Sequence, residues 1–151
     1  MRIYTDGACL GNPGPGGWGW AAVQDVDQVE PEAFGYGGTA GITTTNNRME
    51  LLAAIRGLQY APDLPVGTMV ILLSDSKYVI DGINLWIKGW EKNGWRNAKR
   101  KPVVNQDLWR EFRALQLSLP HVTFDWVRGH NGDKWNEYVD NLANKEAGIL
   151  V

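Results

Sequence analysis

Four carboxylates stand where a carboxylate is awkward. Asp6 follows Arg2-Ile3-Tyr4-Thr5, Asp75 ends Val70-Ile71-Leu72-Leu73-Ser74, Glu50 opens the run Leu51-Leu52-Ala53-Ala54-Ile55, and Asp140 falls early in a helix with an apolar face. Charges placed inside or at the end of strands, or over an apolar helix face, are costly unless they are paired or bound to metal. If the four converge they cannot all stay ionised without a cation, because neighbouring like charges raise one another's pKa. Oxygen-only donors point to a hard ion, so a Mg²⁺ site is the first chemical expectation.

Three of the acids also have ordinary alternatives. Asn47 and Glu50 have capping-box spacing, Asp75 suits a helix N-cap after a strand, and Asp140 suits the positive end of a helix. His130 lies in the polar loop Arg128-Gly129-His130-Asn131-Gly132-Asp133, either as a mobile proton carrier or as a surface histidine. His121, after Pro120 at the start of a strand, is read as structural.

The elements that must position these residues can be read from periodicity. Arg2 to Cys9 reads as a strand, Leu10 to Gly17 as a glycine- and proline-rich turn, Trp18 to Gln24 as a second strand and Ala33 to Ile42 as a third. Thr43-Thr44-Thr45-Asn46-Asn47 supplies several N-cap candidates, and a helix runs from there to about Tyr60, with Leu51, Ile55 and Leu58 on one face. Met69 to Ser74 is a continuous apolar strand of the kind buried on both faces. Ser76 to Ile87 reads as helix, with Gly82 as a weak point. Another helix opens at Asn105-Gln106-Asp107 with Leu108, Phe112, Leu115 and Leu119 on one stripe. Val122, Phe124 and Trp126 alternate as a last strand, and a final helix ends at about Ala147 before Gly148. The order β-β-β-α-β-α-α-β-α predicts a mixed five-stranded α/β sheet, an antiparallel meander plus parallel strands, flanked by helices. Ligands in such sheets gather beyond the carboxyl ends of the parallel strands, where Asp75 and the His130 loop fall.

At 151 residues and 44% hydrophobic, the chain has the size of one domain, residues 1–151, with no internal repeat or linker. No apolar run approaches the roughly 20 residues of a membrane span, and one cysteine, Cys9, excludes an internal disulfide. A cytoplasmic monomer is expected. Net charge is −2, but Lys88, Lys92, Arg96, Lys99, Arg100 and Lys101 face Glu91 alone between Trp86 and Lys101. This basic handle, about 86–104, on an acidic body is an electrostatic footprint for a polyanion.

Several motifs now align in order: Tyr4-Thr5-Asp6-Gly7-Ala8-Cys9-Leu10-Gly11-Asn12-Pro13-Gly14, Thr45-Asn46-Asn47-Arg48-Met49-Glu50, Ser74-Asp75-Ser76, Gly129-His130 and Asn136-Glu137 with Asp140. Together with the handle they resemble type 1 ribonuclease H, in its bacterial form. The resemblance implies a ribonuclease H-like fold and hydrolysis of the RNA strand of an RNA·DNA hybrid, leaving 3′-hydroxyl and 5′-phosphate ends. It implies that Asp6, Glu50, Asp75 and Asp140 hold two Mg²⁺ ions, with Mn²⁺ as a substitute, which clamp the attacking and leaving oxygens of an in-line displacement. His130 would assist proton transfer or product release.

By the same likeness Cys9, Asn12, Asn46, Asn47 and Ser76 approach the RNA strand. Thr45, Arg48 and Asn105 match a DNA-phosphate pocket, and Trp86, Trp90 and Trp109 surround a DNA channel. The handle cations Lys99, Arg100 and Lys101 add phosphate affinity without sequence preference. An aromatic cluster that merely holds the handle together is an equal reading for Trp86 and Trp90. Ala8, Lys77 and Val104 depart from the family pattern, and none of them is an expected metal ligand. Two other functions fit the same features: a catalytically silent hybrid-binding module, and another metal-dependent nuclease of the same superfamily. Retention of all four acids argues against the first; the handle and the Asn46-to-Glu50 element argue against the second.

Overall fold

The computed structural model describes residues 1–149; the last two residues of the expected 1–151 domain lie outside the described residues. Five strands form one sheet in the order β3-β2-β1-β4-β5. β1 (Arg2–Cys9), β2 (Gly14–Val23) and β3 (Ala33–Thr44) make the antiparallel meander, and β4 (Val70–Ser74) and β5 (Val122–Trp126) join β1 in parallel. The helices are α1 (Asn46–Leu58), α2 (Lys77–Asp81), α3 (Ile87–Lys92), α4 (Gln106–Ser118) and α5 (Lys134–Ala147). This is the expected mixed sheet. β2 begins four residues earlier than the sequence suggests, because the glycine- and proline-rich stretch pairs with β3 through a register shift between Pro15 and Gly17.

Alternation along β1 sends its side chains to two different cores. Ile3 joins the larger core beneath α1 to α4, with Leu51, Ile55, Leu58, Leu72, Trp109, Phe112 and Phe124. Tyr4 faces the other way, packing with Ala21, Val23, Trp135 and Val139 under α5. Ala8 meets Ala143 and Ala147 on that same side. Asp6 shares the parity of Tyr4 and Ala8, so the strand itself aims it at α5.

One open choice about the helices is decided and one expectation is corrected. The N-cap of α1 is Thr45, whose hydroxyl accepts from Arg48 N–H at 3.3 Å; Asn47 lies inside the helix. The helix expected to end at Ile87 instead runs on to Lys92, because Gly82–Trp86 forms a π-helical turn joining α2 to α3. Gly82 is required there: a Cβ would lie 2.0 Å from the Trp109 ring. The expected handle therefore starts within a continuous helix, and only the segment after Lys92 is a loop. Its shape comes largely from Asn97, whose Oδ1 accepts from Lys99 N–H and Lys101 N–H at 2.9 and 3.1 Å.

Candidate active site

Parallel register does most of the assembly. Thr5 pairs with Ser74 across β1 and β4, so the next residue on each strand, Asp6 and Asp75, emerges side by side at the carboxyl end. Glu50 belongs to α1, on the opposite face of the sheet from α5, and needs a gap to reach them. Gly7 provides it. A Cβ on Gly7 would lie 2.2 Å from the carbonyl carbon of Met49 and 2.3 Å from the nitrogen of Glu50, so α1 rests directly on the β1 backbone. The Gly7 N–H then donates to Asp6 Oδ1 at 2.9 Å and to Glu50 Oε1.

One oxygen from each of Asp6, Glu50 and Asp75 lies within 4.8 Å of the others. Asp140 comes from α5, seated past the first helical turn, and lies outside this trio while lining the same cavity. That cavity is lined by Asp6, Gly7, Asn46, Asn47, Glu50, Asp75, Ser76, His130 and Asp140. The ordinary alternatives lose their support here. Thr45 caps α1, Ser76 caps α2 through a 3.2 Å bond from Val79 N–H, and Asp133 caps α5, so Glu50, Asp75 and Asp140 are left without a capping duty.

Electrostatics at this centre are unfavourable without a cation. Asp6 is 4% exposed. Burial pushes its carboxyl far above the usual range, and the charges of Glu50 and Asp75 push further. Burial also raises Glu50, with Asp75 adding to it and the Gly7 N–H opposing. Asp75 is raised chiefly by burial and then by Asp140, against hydrogen bonding from Glu50. Among the described residues the ion pairs are Arg48–Asp107 and Arg113–Glu91, so no lysine or arginine neutralises the cluster. Clustered carboxylate oxygens without thiolate or imidazole in the trio fit a hard divalent cation.

The loop after β5 closes the site from the side. Trp126 Nε1 donates to the Asp75 carbonyl at 3.0 Å, and a Cβ on Gly129 would lie 2.8 Å from Asp75 Oδ2. His130 follows in the left-handed region at φ 54°, exposed at the rim. Lys77, one residue past the Ser76 cap, lays its Nζ 4.7 Å from the Trp126 ring centroid.

The other expected contact residues divide. Asn46, Asn47 and Ser76 line the acidic cavity. Asn12, exposed beside it, accepts from Asn46 N–H through its Oδ1 at 3.0 Å. Cys9 is buried, with its thiol directed at the carbonyls of Gly14 and Thr44, so its side chain is not offered to a strand. Thr45, Arg48 and Asn105 do meet: Arg48 Nη1 donates to Asn105 Oδ1 at 3.3 Å.

Trp109 requires a correction. It is 0% exposed, locked by Nε1 to Tyr78 Oη at 3.0 Å, and belongs to the core rather than to a channel. Trp90 leans on it at 5.2 Å and Trp86 on Trp90 at 6.0 Å, which leaves Trp86 and Trp90 at the edge of an aromatic stack. Lys99, Arg100 and Lys101 are exposed on the handle loop. Two residues that the sequence alone gives no role emerge: Tyr78, which ties Asn105 to Trp109, and Asp107, which grips Arg48. The one signal for Asp107 in the sequence is its place in the Asn105-Gln106-Asp107 helix start.

A mixed sheet with carboxylates gathered at the carboxyl ends of its parallel strands defines an α/β protein built to hold a hard divalent cation. Comparison with known proteins narrows this class. The family described as RNase H matches residues 1–148. A ribonuclease H of Pseudomonas fluorescens (strain Pf-5) is 50% identical over 145 residues, covering 96% of this chain and 90% of that protein. One of Halorhodospira halophila is 52% identical over 152 residues, covering 100% and 95%. The crystal structure of LC9-RNase H1, described as a type 1 RNase H with the type 2 active-site motif, superposes with a TM-score of 0.74 at 31% identity, covering 97% of this chain and 71% of that one. The chain belongs to the ribonuclease H family, in its type 1 bacterial form.

Proposed function

We propose that the protein is an endoribonuclease that hydrolyses the RNA strand of an RNA·DNA hybrid, releasing 3′-hydroxyl and 5′-phosphate ends. The observation that carries this reading is the convergence of Asp6, Glu50 and Asp75 on one cavity shared with Asp140 and His130, in a chain half identical to proteins called ribonuclease H.

The four acids would hold Mg²⁺, two ions at turnover, with Mn²⁺ satisfying the same oxygens. When bound, these ions supply charge neutralisation and Lewis acidity at the scissile phosphodiester. The chain's own residues do the rest. Asp6 and Asp75, fixed by strand register, form the centre; Glu50, oriented by the Gly7 N–H, faces the RNA; Asp140 completes the set from α5. His130, on a loop framed by Gly129 and Gly132, carries a proton at the departing 3′ oxygen as the bond from phosphorus to that oxygen breaks and the bond from water forms.

Asn46, Asn47 and Ser76 read the RNA side, where the 2′-hydroxyl distinguishes the strand. Exposed Asn12, bonded to Asn46, joins them on the RNA side, and buried Cys9 supports this surface from beneath through its backbone. Thr45, Arg48 and Asn105 take a phosphate of the DNA strand, Trp86 and Trp90 border its path, and Lys99, Arg100 and Lys101 contribute affinity without sequence preference. The chain acts as one ribonuclease H domain, residues 1–151, with the handle at about 86–104, as a cytoplasmic monomer; no described helix is long and apolar enough to cross a membrane.

Incubation with labelled RNA·DNA hybrid, double-stranded RNA and double-stranded DNA, in Mg²⁺ or EDTA, tests the reading. Cleavage is expected in the RNA strand of the hybrid alone and only with the metal. Binding without cleavage would identify a silent hybrid-binding module, and DNA cleavage another nuclease of the superfamily.

A further inference from the structure

Arg48, in the first turn of α1, is held from the start of α4. Its Nη1 and Nη2 donate to Oδ1 and Oδ2 of Asp107 at 2.9 and 2.8 Å, and Nη1 also donates to Asn105 Oδ1. This two-pronged geometry is the one a guanidinium offers equally to a carboxylate and to a phosphate. The Asp107 side chain is 65% exposed and that of Arg48 35%, so the pair is a surface contact, screened and readily exchanged.

The frame around the pair is rigid. Asn105 sits in the left-handed region at φ 61°, its Nδ2 donates to Tyr78 Oη at 3.2 Å, and Tyr78 also accepts from the wholly buried Trp109. Asp107 lies in the first turn of α4, where the helix dipole favours a negative charge. A fixed pocket wall, an arginine and a solvent-facing carboxylate therefore share one spot, and only the carboxylate is free to leave.

We propose that Asp107 is an internal stand-in for a phosphate of the DNA strand. It occupies Arg48 in the free protein and is displaced when the hybrid docks. The proposal rests on reading Thr45, Arg48 and Asn105 as a phosphate pocket. Because Asp107 is tethered, its local concentration at Arg48 is high, and an isolated phosphate competes poorly. A duplex already held by the handle cations presents its phosphate at comparable local concentration and wins. Asp107 thus makes the pocket selective for long, correctly placed nucleic acid over free anions.

Fluorescence anisotropy of labelled RNA·DNA hybrid, in EDTA to prevent turnover, tests this on the full chain. Asp107→Asn should tighten binding roughly two- to fivefold, the scale of one exposed ion pair. Asp107→Glu, which restores a carboxylate, should return affinity toward the starting value, and Asp107→Asn should have no effect in an Arg48→Gln background. Thermal melts of each variant establish that it is folded. Weaker or unchanged binding by folded Asp107→Asn would overturn the proposal, since Asp107 would then be a brace for Arg48 or a bystander. A separate result, unchanged binding by Arg48→Gln alone, would remove the phosphate pocket and the stand-in with it.

Discussion

At the acidic centre, Asp6 and Asp75 are set by the register of β1 against β4, and Glu50 by the direct rest of α1 on Gly7; in the handle, Lys99, Arg100 and Lys101 ride on a loop held by local bonds, chiefly from the Asn97 side chain and backbone and from Arg96. The first region is buried, uncompensated and intolerant of displacement. The second is exposed and can shift without loss, because phosphate attraction falls off slowly compared with metal coordination. Chemistry belongs to the rigid region and affinity to the adaptable one.

The sharpest way to break this division is Asp75→Asn. Hybrid cleavage should fall on the order of 10³-fold or more, as when a group stabilising transition-state charge is removed. The metal-free variant should melt no lower than the parent, because a repulsive charge is gone. Turnover within tenfold of the parent would remove Asp75 from the centre. Gly7→Ala asks whether the backbone contact matters as much as the acids. It should cost about 3 kcal/mol in denaturant titrations, as overpacking of a close contact does, and weaken metal binding by calorimetry. An unaltered melt together with unaltered metal affinity would mean that α1 yields easily.

Neutralising Lys99, Arg100 and Lys101 together should weaken hybrid binding and leave kcat unchanged. Each phosphate that is no longer neutralised should take about 0.9 from the slope of log affinity against log salt. An unchanged slope would separate the handle from binding, and a reduced kcat would blur the division between the regions.

The smallest effect is in pH. Asp6, Glu50 and Asp75 all have folded-state pKa values raised above those of the unfolded chain, so the metal-free fold retains protons that the unfolded chain has released. Their contribution to stability is full below about 4; the part from Glu50 is lost as pH rises to about 8, where it ionises in the fold, and the part from Asp6, pushed up to about 12, goes on falling above that. The melting temperature of metal-free protein should therefore decline across this window, by about 2–4 °C per kcal/mol lost, and Mg²⁺ should raise it more at pH 8 than at pH 5. Equal metal effects at the two pH values would contradict the coupling.

The acidic centre is legible in the sequence because strand ends are legible: a continuous apolar run ending in Ser74-Asp75 locates a carboxylate at the carboxyl edge of a parallel strand whatever the exact register. Glu50 stands out as a residue, but its means of arrival does not, since a missing Cβ at Gly7 matters only once α1 is in place. The family likeness groups Trp109 with Trp86 and Trp90 around a DNA channel. Its spacing to Phe112, one helical turn along the apolar stripe of α4, is the signal for the core. The helix through Gly82 is legible as far as Ile87, but its continuation to Lys92 is hidden by the glycines and charges that follow, and Gly82 reads locally as a weak point until the Trp109 ring pressed against it shows why glycine is there. Asp107 looks like an ordinary acid at a helix start, and its grip on Arg48 spans two helices far apart in the chain.

The π turn at Gly82–Trp86 acts as a gear tooth between two parts of the molecule. Upstream, α2 is indexed to the acidic centre through the Ser76 cap; downstream, α3 carries the handle, with Asn84 Nδ2 pinning the turn to the Phe124 carbonyl of β5 at 2.9 Å. A wide turn of this kind holds one residue more than an α-helical turn. Removing that residue would rotate everything beyond it by about 100° about the helix axis. The compass bearing of the basic arm relative to the cutting centre is thus encoded by a single-residue insertion, a setting that evolution or engineering can change without touching either end.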